Sequence, residues 1–165
     1  MANANRPVGF TVAEDAVYYP PKEWPVEASA TITKGDMVYI NSDGRVGIAT
    51  SATTAGDFLG VAASSVTSAT VGDPILVYDN PRQIFQGQIS TGALADPYTT
   101  RSLAACFDLA GTTGVQYINA ASATSTMAKI IGVGKEPNGS ASATGLYQKK
   151  LFRIARGAHA FGCLA

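Results

Sequence analysis

The sequence predicts a mainly β protein, a small antiparallel β-barrel or sandwich-like domain with an extended N-terminal arm. Short apolar and β-branched runs recur between turn residues such as Gly-Asp, Asp-Gly and Asn-Gly. No stretch has the apolar periodicity of an amphipathic helix of four turns. The chain has 165 residues, a length that suits one domain with a substantial core.

Residues 1–29 are predicted to form the arm, and residues 30–165 the β-rich domain. The first thirty residues hold four of the eight prolines, namely Pro7, Pro20, Pro21 and Pro25. Because proline removes a backbone donor and fixes φ, this stretch cannot form a helix or a central strand. Tyr18, Tyr19 and Trp24 need an apolar surface, supplied either by the parent domain or by a neighbouring subunit.

The residues from 28 to 89 alternate between predicted strands and turns. A short β-branched stretch, Ala28–Lys34, precedes five apolar runs: Met37–Ile40, Arg45–Ala49, Phe58–Ala63, Pro74–Tyr78 and Gln83–Ile89. Asn41–Gly44 is predicted to be a hairpin turn, because Asp-Gly supplies residues that adopt positive φ. Gly35-Asp36 recurs as Gly72-Asp73 before another apolar run, which indicates two turns of one kind.

The second half of the chain gives weaker signals. Thr100–Phe107 fits either a short helix or a strand, and Phe107–Ile118 resembles a hairpin that turns through Gly111–Gly114. The remaining predictions are a buried strand at Lys129–Val133, a turn at Pro137–Gly139 and a final strand at Lys149–Arg156.

The formal net charge is zero, but the charges are unevenly placed. Residues 1–128 hold 6 basic and 11 acidic groups, a net of −5, and residues 129–165 hold 6 basic and 1 acidic, a net of +5. The basic end contains Lys149, Lys150, Arg153 and Arg156. It is interpreted as a solvated face, as a head-to-tail contact between subunits, or as a weak nucleic-acid site. Nucleic-acid binders normally carry a strong positive excess, so no nucleic-acid partner is expected.

The sequence lacks the residue clusters that mark common enzymes. It has no phosphate-binding glycine loop, no HExxH and no GxSxG. His159 is the only histidine, and the two cysteines lie 57 positions apart. We therefore expect no catalytic site, no cofactor, no metal and no small-molecule substrate. Calcium remains an alternative for the turn aspartates Asp36, Asp43, Asp57, Asp73 and Asp79. No secretory signal or membrane span is predicted.

Several runs of this sequence resemble small capsid decoration (cement) proteins of tailed bacteriophages. They are Ala30–Ile40, Asp43–Val46, Phe58–Ala62, Val71–Val77, Asn80–Gln88, Asp108–Gly111 and Lys129–Val133. The likeness covers residues 30–135 and consists of strand and turn patterns. The arm and the basic C-terminus lie outside it.

This resemblance implies a structural virion protein that binds the outside of an expanded head, bridges neighbouring capsomers and stabilises the shell. Its expected partners are the major capsid protein and further copies of itself in a homotrimer. Its expected location is the capsid surface, after assembly in the host cytoplasm.

The candidate subunit or capsid contacts are Tyr18, Tyr19, Trp24, Lys149, Lys150, Arg153 and Arg156. The aromatic residues are chosen because such side chains are enriched at interface hot spots. The alternatives are a phage tail or fibre component, a small β-barrel carbohydrate-binding module, and a single-strand nucleic-acid binder that uses the basic end.

Overall fold

The computed structural model describes residues 8–14, 16–89, 106–119, 127–135, 148–155 and 158–160. Over these residues the chain forms strands and no helix. The strands are β1 (Thr11–Val12), β2 (Lys22–Pro25), β3 (Met37–Ile40), β4 (Val46–Ile48), β5 (Phe58–Ala62), β6 (Pro74–Tyr78), β7 (Phe85–Gln88), β8 (Cys106–Ala110), β9 (Tyr117–Asn119), β10 (Ala128–Val133) and β11 (Lys149–Ile154).

The strands form two antiparallel sheets. Sheet A has six strands in the order β1-β7-β11-β10-β8-β9, and sheet B has five in the order β2-β6-β5-β3-β4. The prediction of a mainly β protein is confirmed. Of the two forms predicted, the sandwich-like one is consistent with the structure, because neither sheet closes into a barrel. In sheet B a single parallel bridge from Val26, just after β2, to Val46 in β4 joins the two edges. In sheet A a bridge from Ile89, just after β7, to Ile118 joins the edge strand β9 to the strand next to the opposite edge. Each sheet therefore curls.

Most local predictions match the observed elements. All five apolar runs of the first half contain strands, and the turn at Asn41–Gly44 is present, with Gly44 at φ 73°. The hairpin through Gly111–Gly114 joins β8 to β9. Ala28–Lys34 forms no strand and contributes only a bridge from Ile32 to Val66. The turn at Pro137–Gly139 lies outside the described residues, as does most of Thr100–Phe107, whose last two residues begin β8.

The N-terminal segment supplies one edge strand to each sheet. β1 pairs with β7 at the edge of sheet A, and β2 pairs with β6 at the edge of sheet B. Edge positions tolerate proline, and Pro25 lies opposite Pro74 in this ladder. Phe10 and Val26 are fully buried, and the Phe10 ring meets the Phe152 ring edge-on at 5.0 Å. The described part of the segment therefore packs against its own chain.

Sheet B separates two hydrophobic clusters. Because successive side chains of a strand point to opposite faces, β5 contributes Phe58 and Val61 to one cluster and Leu59 and Ala62 to the other. The first cluster also contains the inward side chains of sheet A, and the second lies within the curl of sheet B. Every residue of β5 is buried, which makes it the central strand of the molecule.

The recurring Gly-Asp pairs form the same turn twice. The carboxylate of Asp36 accepts a hydrogen bond from the Thr33 N–H at 2.8 Å, and that of Asp73 accepts one from the Thr70 N–H at 2.7 Å. The preceding glycines, Gly35 and Gly72, have φ values of 95° and 90°, which L-residues with a Cβ rarely adopt. The repeat therefore reflects shared turn chemistry.

Two buried polar side chains join the β8–β9 hairpin to sheet B. The second oxygen of Asp36 accepts a hydrogen bond from the Gly114 N–H at 2.7 Å. The Gln116 side chain accepts from the Met37 N–H at 2.5 Å and donates to the Ala49 carbonyl at 2.8 Å. Burial raises the pKa of Asp36, against the opposing effect of its two backbone donors. We call Asp36 and Gln116 the polar link.

Replacing Gln116 by leucine is expected to destabilise the protein by about 2–3 kcal/mol, because a buried N–H and a buried carbonyl lose their partners. Urea denaturation followed by circular dichroism measures the free energy of unfolding. Thr113→Val in the same hairpin is the control. It removes only an exposed hydrogen bond to the Thr31 carbonyl and should change stability by less than about 0.5 kcal/mol. Equal effects of the two changes would contradict a special role for Gln116.

Gly60 marks a close approach of β5 to β6. A Cβ at this position would overlap the carbonyl oxygen of Tyr78, so Gly60→Ala is expected to cost about 1–3 kcal/mol through overpacking. Gly132→Ala is the matched control, because its Cβ would come no nearer than 3.5 Å to the Leu151 side chain. Thermal unfolding of both variants measures the difference, and a Gly60→Ala variant as stable as the control would refute the steric argument.

Candidate interaction surfaces

Trp24 is held by its own chain. Its ring packs against the second hydrophobic cluster, and its indole N–H donates to the Asp79 carboxylate at 3.3 Å. The Lys22 ammonium lies 3.3 Å from the same carboxylate oxygen. Asp79 is only 2% exposed, so the contact with Trp24 is largely shielded from water. Trp24 therefore anchors β2 to the domain, and only part of its side chain faces outward.

Tyr18 and its neighbour Val17 face solvent, with 60% and 69% of their surfaces exposed. The Tyr18 ring touches the Tyr78 ring edge-on at a centroid distance of 6.1 Å. The Gln83 side chain accepts a hydrogen bond from the Tyr19 N–H at 3.0 Å and donates to the Val17 carbonyl at 3.3 Å. The backbone is thus fixed on both sides of Tyr18, while Tyr19 itself is half-buried. We call Val17 and Tyr18 the apolar pair.

The basic residues of β11 point to opposite faces of sheet A. Lys149 is half-buried and Arg153 is exposed on the outer face, whereas Lys150 is fully buried. The predicted doublet Lys149-Lys150 is therefore divided by strand alternation, and only its first member reaches the surface. Arg156 lies outside the described residues.

A further basic residue, Lys129, joins the outer face. It is exposed in β10, directly opposite Arg153 in the antiparallel register. Sequence reasoning missed it, because only the pairing of β10 with β11 brings positions 24 residues apart into contact range. Lys129, Lys149 and Arg153 together are called the basic face.

An acidic group lies at one end of sheet B. The Tyr39 hydroxyl donates to the Glu27 carboxylate at 3.1 Å, and the Asn41 amide donates to the same carboxylate at 3.4 Å. Burial first, and then the nearby charges of Glu27 and the exposed Asp57, raise the pKa of Tyr39. Glycine at position 47 makes room, because a Cβ there would overlap Glu27 and Tyr39. Glu27 and Asp57 are called the acidic end.

Sequence reasoning did not single out Glu27, which it placed in the arm. Asp57 was considered only as a turn aspartate. A shallow groove beside Tyr39 is lined by Asp57 together with Thr50, Thr53 and Thr54. The Glu27 N–H donates to the Val46 carbonyl at 3.0 Å, and no local pattern encodes this long-range contact, which places Glu27 next to β3 and β4.

His159 lies in a short C-terminal segment that runs beside β5. The Phe58 N–H donates to the Ala158 carbonyl at 3.1 Å, and the Ala160 N–H donates to the Phe58 carbonyl at 2.7 Å. His159 is 2% exposed. Burial lowers its pKa, against the opposing effects of Asp79 and of hydrogen bonds to the Asp79 and Leu59 backbone. The imidazole is thus part of the packing between this segment and sheet B.

No group of three or more His, Cys, Asp or Glu side chains suited to a metal ion occurs in the described residues. Both carboxylate oxygens of Asp36 accept backbone hydrogen bonds, and one oxygen of Asp73 does so as well. The same part of the chain has no helix that is long and apolar enough to cross a membrane.

No family model and no curated protein matches the chain. The likeness to phage decoration proteins therefore rests on the sequence patterns within residues 30–135. In the structure this stretch contains β3 to β10, and it contributes strands to both sheets.

The stability contributed by His159 is expected to fall as the pH falls. Its pKa lies below the ordinary value of 6.5 in the folded state, so the unfolded chain binds the proton more readily and acidification favours unfolding. Unfolding free energies measured between pH 7.5 and pH 5 should decline more steeply for the natural protein than for His159→Gln. Both proteins retain Asp36, whose pKa is also shifted, so its effect is common to both curves, and parallel curves would contradict the prediction.

Proposed function

We propose that this protein is a structural virion protein that binds the outside of an expanded phage head, bridges neighbouring capsomers and stabilises the shell. Among the structural observations, the apolar pair gives this proposal its main support. The resemblance within residues 30–135 supplies the class of partner, which is the major capsid protein.

The apolar pair has the properties of a preformed docking element. Hydrogen bonds from Gln83 flank Tyr18, and Tyr78 supports its ring, so little conformational freedom is lost when a partner covers it. Tyrosine gives a large amphipathic contact area and is enriched among interface hot spots. Its exposure of 60% leaves most of that area available to a capsid protein.

Anchoring of the N-terminal segment supports the same function. β1 and β2 tie the segment to both sheets, so a pull on the apolar pair is transmitted into the hydrogen-bonded body of the molecule. A protein that bridges capsomers needs such a connection, because it must resist separation of the units to which it binds. Binding only to the expanded shell would stabilise that shell by mass action.

Purified protein is expected to bind undecorated expanded heads and to raise the temperature at which they disrupt. Tyr18→Ser should weaken this binding at least about tenfold, because loss of a tyrosine hot spot commonly costs more than 1.4 kcal/mol. The control Val71→Ser removes another exposed apolar side chain, one that is 47% exposed, and should leave binding unchanged. Sedimentation of heads with labelled protein measures the affinity.

Both variants should unfold within about 1 kcal/mol of the natural protein, because they alter exposed side chains. Absence of binding to any head state would refute the proposed function, and binding insensitive to Tyr18→Ser would refute the role of the apolar pair. Imaging of assembled particles separates this function from that of a tail or fibre component. Binding to glycans in place of heads would support a carbohydrate-binding module instead.

A further inference from the structure

The basic face contains an unusual pair of like charges. Lys129 and Arg153 are direct partners across β10 and β11, and both are exposed. Like charges directly opposite on antiparallel strands are destabilising. The two ion pairs found among the described residues, Lys22 with Asp79 and Arg45 with Asp43, do not involve them. An external carboxylate between the two side chains would relieve their repulsion.

The acidic end has the complementary charge and lies on the other sheet. Asp57 is exposed, and the described residues show no ion pair to its carboxylate. Glu27 is held by Tyr39 and Asn41, and Asp57 lines the groove beside the same Tyr39. One molecule thus presents two exposed cationic side chains, Lys129 and Arg153, on sheet A. On sheet B it presents the carboxylate of Asp57, which is exposed, together with that of Glu27, which is held in place by hydrogen bonds.

We propose that the basic face of one copy of this chain docks on the acidic end of a second copy. The contact is heterologous, because different surfaces of the two copies meet, and successive contacts of this kind close into a ring when the rotation between copies permits. This inference rests on the proposed function, which requires several copies to assemble. It adds to that function by naming the two surfaces that meet.

Charge favours a second copy over other partners of the basic face. Residues 1–128 carry a net of −5 and residues 129–165 a net of +5, so the chain contains both halves of an electrostatically complementary contact. A nucleic acid would require stacking side chains beside the cations. Apart from one another, the described strand partners of the basic face are Cys106, opposite Lys129, and Gln88, opposite Lys149, and neither is aromatic.

Sedimentation of the purified protein over a concentration series, without heads, tests the contact. Arg153→Glu alone and Asp57→Lys alone should each weaken self-association at least about tenfold, because each places like charges across the interface. The double variant Arg153→Glu/Asp57→Lys exchanges the two charges and should recover most of the lost affinity. Increasing salt should weaken association of the natural protein.

Arg82→Glu is the matched control. It makes the same change of charge at an exposed position that belongs to neither surface, and it should leave self-association unchanged. Circular dichroism checks that every variant is folded. A monomer at all concentrations, or single variants that associate normally, would overturn the inference, as would a double variant weaker than either single variant.

Head binding measured in parallel separates this inference from the proposed function. Loss of head binding by Arg153→Glu with normal self-association would assign the basic face to the capsid protein and overturn the contact between copies. Self-association that follows the charge pattern, without binding to any head, would support the contact while refuting the function proposed above.

Discussion

The polar link is the constraint on which the arrangement of the two sheets depends. Hydrophobic contact alone is non-directional and would allow the sheets to slide over one another. Asp36 and Gln116 bond to backbone groups in both β3 and the β8–β9 hairpin, and these bonds can form in only one register. Because the groups are buried, a shifted arrangement would leave them unsatisfied. The position of the basic face on sheet A relative to the acidic end on sheet B follows from this fixed register.

At each surface proposed for contact, interactions within the chain hold in place side chains that remain at least partly exposed. Gln83 fixes the chain around Tyr18, and β-sheet register fixes Lys129 beside Arg153. Hydrogen bonds to Tyr39 and Asn41 fix Glu27. Such preorganisation lowers the entropy lost on association. For binding between large protein surfaces, side chains held rigidly at the surface contribute more to affinity than a deep pocket would.

Local patterns were sufficient to predict the strands from β3 to β7, but not the two N-terminal edge strands or the surfaces. The Gly-Asp and Asp-Gly turns determine φ over three or four residues, so Asn41–Gly44 and the two aspartate turns could be found in the sequence. Which strands pair is decided by side chains far apart in sequence, so the pairing of Lys129 with Arg153 could not be predicted from local patterns. Alternation within β11 was visible in principle, and it is the signal that would have placed Lys150 in the interior.

The pairing of the N-terminal segment also determines the order in which the molecule can be completed. β1 and β2 come first in the chain, yet their partners are β7 and β6, which begin at Phe85 and Pro74. During synthesis the segment must therefore wait for about fifty to seventy further residues before either edge is available. The hairpin of β3 and β4 has no such delay. In newly made chains β2, which contains Trp24, therefore stays unpaired for longer than any other strand of sheet B.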